Sequence, residues 1–145
     1  GRENEDDSVA NIADYSRRHV LLVEDNELNQ EIALEMLSCN GVHAEVADNG
    51  AMALEKFQAS PEGYYDLILM DIQMPVMNGF EATRAIRKLP RADAASIPII
   101  ALSANVSGED VAASRECGMN GHLAKPLDIP QLIERMDYWL HNPAG

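Results

Sequence analysis

Three carboxylates, one hydroxyl and one ammonium each follow directly on a short apolar run. Val20-Leu21-Leu22-Val23 ends in Glu24-Asp25, and Leu67-Ile68-Leu69-Met70 ends in Asp71. Ile99-Ile100-Ala101-Leu102 ends in Ser103, and Leu123-Ala124 runs into Lys125-Pro126. If these runs are neighbouring parallel strands, their carboxyl ends share one edge and all five groups meet there. Three like charges repel unless a cation neutralises them. Magnesium suits such a set, because it is hard, keeps several waters and takes one or two carboxylates plus a phosphate oxygen. Mn2+ is an admissible substitute. A backbone carbonyl just past Asp71, such as that of Gln73, can complete the ligands. Calcium fits less well, since the chain lacks a dense loop of alternating oxygen ligands. Lys125 would balance the acids and a bound phosphoryl oxygen, and Ser103 can donate a hydrogen bond to that oxygen. Taken singly, each residue has a plainer reading. Asp71 and Ser103 would be caps or turn residues, and Lys125 a solvated amine.

The elements that must position these groups are readable from the pattern. The first strand spans about His19 to Val23. Asn26 can cap a helix to about Asn40, with Leu28, Ile32, Met36, Ala33 and Leu37 on one face and Gly41 ending it. Val42 to Ala47 alternates like an edge strand. Asp48 or Asn49 caps a second helix with Ala53, Leu54 and Phe57 inward, and Ser60 to Gly63 is a turn. The strand Asp66 to Met70 leads into a loop over residues 74–79 and a helix from about Phe80 to Leu89. Pro90 to Ser96 reads as a loop. The strand Ile97 to Leu102 tolerates Pro98 only near its start. Ser107 with Asp110 resembles a capping box for a helix ending at Cys117-Gly118. His122 to Ala124 is a short strand. Asp128, Pro130 and Gln131 open a final helix with Ile129, Leu132, Ile133, Met136 and Leu140 as its stripe. Five strands alternating with five helices call for an α/β fold, a doubly wound parallel sheet built by right-handed crossovers. The flavodoxin-like (βα)5 order 2-1-3-4-5 fits, and its switch point falls between Glu24-Asp25 and Asp71.

Composition narrows the function classes. The 145 residues suffice for one domain with a real core. The net charge of −13 opposes both a nucleic-acid interface and docking on anionic lipid. Residues 1–18 are acidic and poor in apolar side chains, as in an interdomain linker or a disordered leader. Residues 141–145 form only a tail. Cys39 and Cys117 lack a partner at metal-ligand spacing, so two reduced thiols are expected. No apolar stretch nears the ~18 residues of a membrane span, and no signal peptide is visible.

Four separated motifs carry a family resemblance. Val23-Glu24-Asp25-Asn26, Met70 to Gly79, Leu102-Ser103-Ala104 and Leu123-Ala124-Lys125-Pro126 resemble the receiver domain of two-component response regulators. The likeness covers about residues 19–140. It implies a magnesium-dependent domain that accepts a phosphoryl group from a histidine-phosphorylated donor. By that resemblance Asp71 is the phosphoacceptor and Asp25 a direct metal ligand. Glu24 acts largely through water, and Gln73 offers its carbonyl. Lys125 contacts the acceptor carboxylate or the phosphoryl oxygen, and Ser103 is the hydroxyl that moves on activation. The run Leu28 to Ala33 and the run Asp71 to Arg84 are most similar to receivers of hybrid sensor histidine kinases. One departure stands out. The family's switch residue three positions before the lysine is an aromatic, and here it is His122. An ordinary edge-strand histidine is the plainer reading of that position.

The resemblance further implies a histidine kinase or histidine phosphotransfer domain as partner, and a cytoplasmic location, tethered to a membrane-bound kinase in a longer protein. A phosphotransfer bundle would dock over the carboxyl edge beside the first helix, near Asn29, Gln30 and Met36. A monomer or a weak activation-dependent dimer is expected, with no nucleic-acid contact and no direct membrane contact. A stand-alone response regulator is the alternative within the family. A receiver that only docks is opposed by the intact acid, hydroxyl and lysine set. A haloacid-dehalogenase-type phosphatase also uses a strand-end Asp with magnesium, but needs a second Asp where Gln73 stands. A flavodoxin-like nucleotide or flavin binder needs a phosphate-cradling loop after the first strand. Glu24-Asp25-Asn26-Glu27 would repel that phosphate. Hydrolysis of the aspartyl phosphate would be slow, so turnover of a small metabolite is not expected.

Overall fold

The computed structural model describes residues 19–39, 41–72, 77–103, 108–124, 130–132 and 134. Five strands form one sheet: β1 His19–Val23, β2 His43–Ala47, β3 Leu67–Asp71, β4 Ile99–Ser103 and β5 Gly121–Ala124. All neighbours pair in parallel, in the order β2-β1-β3-β4-β5. The helices between them are α1 Glu27–Cys39, α2 Gly50–Ala59, α3 Gly79–Arg87, the short α4 Ala92–Ser96 and α5 Gly108–Cys117. Residues 130–132 and 134 are also helical.

Every residue of β3 and β4 is buried. A strand covered on both faces must be apolar throughout, which is why these runs are unbroken in the sequence. Successive side chains go to opposite layers. Leu21, Val23, Ile68, Met70, Ile99 and Ala101 join Phe57 of α2, Ala82 and Ile86 of α3 and Cys117 of α5. Val20, Leu22, Leu67, Leu69, Ile100 and Leu102 join Ala33 and Leu37 of α1 and Leu132. At period two, Asp71 continues the row of Leu67 and Leu69, on the α1 side of the sheet.

The helix ends are built locally. Asn49 caps α2 by accepting the Met52 N–H at 2.9 Å. Asn78 and Glu81 form a reciprocal capping box on α3, with bonds of 2.9 and 3.1 Å. The N-x-x-E spacing of Asn78 and Glu81 makes it. Gly41, at φ 79°, closes α1. Its N–H donates to Ser38 O, and the Val42 N–H reaches back to Leu37 O, both at 2.9 Å. Val42 therefore belongs to the helix terminus rather than to β2. Both cysteines are free, Cys39 exposed and Cys117 buried.

Two further expectations are corrected. Leu28 (64% exposed) and Ile32 (43%) do not pack inward with Ala33 and Leu37. At 3.6 residues per turn Leu28 and Leu37 lie on opposite sides of α1, and the sheet covers only the Ala33–Leu37 side. The stretch 90–96 is not all loop, because α4 occupies Ala92–Ser96. Its anchor is long-range. Arg91 donates to the Phe57 and Ser60 carbonyls at 2.7 and 2.9 Å and pairs with Asp93 at 2.7 Å. The final stripe is described only at Leu132, which is buried. Ser107, Ile129, Ile133, Met136 and Leu140 lie outside the described residues.

Candidate functional site

β1 and β3 are neighbours, so the residues that follow their last apolar positions meet at the carboxyl edge. One carboxylate oxygen from each of Glu24, Asp25 and Asp71 can be chosen so that all lie within 4.8 Å of one another. Among the described residues no other group of His, Cys, Asp or Glu side chains is so arranged. Glu24 and Asp71 are almost wholly buried, at 2% and 3% exposure, while Asp25 opens to solvent. Two buried acids with an exposed third make a cup with a wet mouth. Such an all-oxygen donor set fits a hard divalent cation that retains waters, and offers nothing to a soft one.

The backbone holds this cup in shape. The Glu24 N–H donates to Ala47 O at 3.1 Å. The Asn26 N–H donates to Glu24 Oε2 at 3.0 Å, which turns that carboxylate back over its own loop. Asn26 in turn accepts the Asn29 N–H at 3.0 Å and so starts α1, as expected of it. Gln30, one turn further on, sends its Nε2 to the Glu24 carbonyl at 2.6 Å and to Asp48 Oδ1 at 2.9 Å. Ile72 and Gly79 close the other side. The Gly79 N–H donates to Ile72 O at 3.3 Å, and a Cβ on Gly79 would stand 2.5 Å from the Asp71 carbonyl. No side chain fits there without moving the strand end that carries Asp71. The Met77 carbonyl accepts the Gly50 N–H at 3.2 Å, so Met77 touches the start of α2.

Ser103 ends β4 and is buried, at 5% exposure. The Ile72 N–H donates to Leu102 O at 3.2 Å, which keeps the ends of β3 and β4 level. Ala124 stands opposite Ser103 in the β4–β5 register, and His122 stands opposite Ala101. His122 is half-buried rather than exposed. Lys125 and Gln73 lie outside the described residues. The structure thus brings Glu24, Asp25 and Asp71 together and sets Ser103 on the adjacent strand end. The parts that sequence reasoning missed are Gln30, Asp48 and the closeness of Gly79 to Asp71. Of these only Gln30 left a trace, its place one turn after the cap Asn26.

Known proteins share this frame. The response regulator receiver domain family matches residues 20–137. The peroxide stress-activated histidine kinase mak1 of Schizosaccharomyces pombe is 39% identical over 114 residues, which is 78% of this chain and 7% of that protein. The chain therefore spans a small fraction of the curated relatives it matches. The receiver domain of sensor histidine kinase PA1611 from Pseudomonas aeruginosa PAO1 superposes with a TM-score of 0.77 at 35% identity, over 86% of this chain and 98% of that one. That structure has a magnesium ion coordinated in its active site cleft. The receiver domain of Ssk1 from Saccharomyces cerevisiae, co-crystallised with the histidine phosphotransfer protein Ypd1, superposes with a TM-score of 0.76 at 31% identity. That match covers 89% of this chain and 92% of the Ssk1 receiver. The strand order, the level strand ends and the match across most of the chain agree, and the chain belongs to the response regulator receiver domain family.

Proposed function

We propose that Asp71 accepts a phosphoryl group from a phosphohistidine, and that the chain is the receiver of a hybrid histidine kinase phosphorelay. The observation that carries this reading is the place of Asp71. It is the buried strand-end member of a three-carboxylate cup that fits magnesium. Asp25 and Asp71 would bind the ion directly, Glu24 through water, and Gln73 through its carbonyl. When bound, magnesium supplies positive charge to the acids and to the phosphoryl oxygens; Mn2+ would substitute. An Asp71 carboxylate oxygen attacks phosphorus in line and forms the P–O bond as the P–N bond to the donor imidazole breaks. The imidazole leaves with the electron pair of that bond and takes a proton from solvent. Lys125 pairs with the phosphoryl oxygens. Ser103 donates its hydroxyl to one of them, and its movement opens the space into which His122 follows.

The unit that does this would be residues 19–140, with 1–18 as linker and 141–145 as tail, working in the cytoplasm. A donor histidine can reach Asp71 only over the carboxyl edge, so the partner bundle docks beside α1. The exposed Leu28 and Ile32 supply an apolar contact there, flanked by the exposed Glu27, Glu31 and Glu35. Their place supports a helix-bundle partner with an apolar patch ringed by basic residues. Asn29 is exposed beside them. Gln30 and Met36, which the sequence placed in this contact, are only half-exposed, and Gln30 is engaged within the fold. The Ssk1–Ypd1 pairing supports a phosphotransfer partner.

Intact mass with acetyl phosphate and magnesium tests the reading. One phosphoryl unit should be gained, and Asp71→Asn should abolish the gain. Undiminished labelling of that variant overturns the assignment. Leu28→Asp with Ile32→Asp should keep acetyl-phosphate labelling and lose most transfer from a phosphorylated bundle.

A further inference from the structure

We infer that Gln30 is a positioning residue for the acidic cup, its side-chain amide clamping the ends of β1 and β2 so that Glu24 and Asp25 stay shaped for a divalent cation. The inference rests on the receiver reading above.

The clamp has two arms from one nitrogen. Nε2 of Gln30 donates to the Glu24 carbonyl at 2.6 Å and to Asp48 Oδ1 at 2.9 Å. Both partners are acceptors only, so the amide orientation is settled: the reversed one would set Oε1 against two oxygens. Gln30 is itself fixed, because its N–H donates to Asn26 O at 2.9 Å in the first turn of α1. The clamp acts on the residues that form the cup. The Glu24 carbonyl belongs to the peptide that joins Glu24 to Asp25, the buried and the exposed acid of the cluster. The other backbone group of Glu24 is tied to Ala47, and its carboxylate accepts the Asn26 N–H. Loss of Gln30 removes the side-chain tie between that peptide and α1, and so loosens the peptide that carries the Asp25 carboxylate. The residue type matters as well. An amide binds the Asp48 carboxylate without bringing a cation that would compete for the acids. Asp48 is kept against α1 and is not one of the three clustered carboxylates.

Gln30→Met removes both donors at nearly the same length and remains a good helix former. In the full chain, calorimetry with magnesium should show a Kd about tenfold weaker than wild type, the low end of what outer-shell partners of metal ligands are worth. Labelling by acetyl phosphate should need about tenfold more magnesium for half its maximal rate, and reach a near wild-type rate once saturated. In metal-free protein the amides of residues 24–26 should exchange hydrogen faster. Gln30→Asn, too short to hold both acceptors, should show the same pattern and serves if the first variant does not fold. A folded variant with wild-type magnesium affinity overturns the inference, and a lowered melting temperature with unchanged Kd assigns Gln30 to the fold alone. If wild type takes magnesium and a phosphoryl group while the variants match it, the inference alone falls. A wild-type chain that takes neither overturns the receiver reading and this inference with it.

Discussion

Asp71→Asn should make the metal-free protein more stable while making it less responsive to magnesium. The substitution keeps the shape of the side chain and removes one of three negative charges that lie within 4.8 Å of one another. Two unit charges 4.8 Å apart repel by about 0.9 kcal/mol in a water-like dielectric and by about 3.5 kcal/mol at an effective constant near 20. The exposed Asp25 lets water and counter-ions into the mouth of the cup, so the lower figure sets the floor for each pair. Removing Asp71 relieves two such pairs, or about 2 kcal/mol. Asp71 has a contact of its own, and weakening it offsets up to about 1 kcal/mol. The net gain is about 1–2 kcal/mol, equivalent to a rise of about 3–8 °C in Tm for a chain of this size. Magnesium reverses the ranking. At a hundred times its Kd the ion stabilises wild type by about 2.7 kcal/mol through mass action. The variant keeps only two carboxylates and gains much less. Thermal melts in chelator and in saturating magnesium give all four values. An Asn variant that is less stable than wild type in chelator, or that gains as much from magnesium, would refute the argument that these three acids form a repelling cup closed by a cation.

Gly79→Ala should cost about 1–3 kcal/mol, because its Cβ would stand 2.5 Å from the Asp71 carbonyl. Denaturant unfolding checks this, and a wild-type midpoint would mean the strand end yields freely. A thiol reagent should modify the exposed Cys39 at once and Cys117 only as the fold opens, since burial shields that thiol and pushes its pKa up. Two fast-reacting thiols would contradict the described packing. The Arg91 guanidinium, with some help from the Gly63 N–H, holds the Asp93 carboxyl below the usual carboxylate range. A depressed folded-state pKa contributes stability that is present above the unfolded value of about 3.9 and is lost as pH falls through the folded one. Asp93→Asn should therefore melt below wild type at neutral pH, and the gap should close below about pH 4. A gap independent of pH would remove the charge from the explanation.

What could be read from the sequence follows from what burial demands. β3 and β4 are covered on both faces, so Leu67 to Met70 and Ile99 to Leu102 had to be unbroken apolar runs. A charge or hydroxyl at the end of such a run marks the edge of the sheet. Glu24, Asp71 and Ser103 were legible for that reason, and the strand order placed Glu24 and Asp71 at the switch point with Ser103 on the adjacent strand end. Periodicity failed where it had two answers. Leu28, Ile32 and Met36 form one i,i+4 row on α1 and Ala33 and Leu37 another, yet the sheet covers only the second, and the pattern does not say which. An apolar residue left outside beside the site is the sort of exception that a partner surface produces. Periodicity also missed α4, because its anchor is Arg91 reaching back to the end of α2, more than thirty residues earlier. Gln30 and Asp48 meet across 18 positions, and Gly79 meets the Asp71 carbonyl from eight positions further along the chain. Such contacts repeat with no period and bury little area, so nothing in composition or spacing announces them. They are also the contacts that decide how firmly the acids are held. The presence of a site could therefore be read along the chain, whereas its rigidity had to wait for the fold.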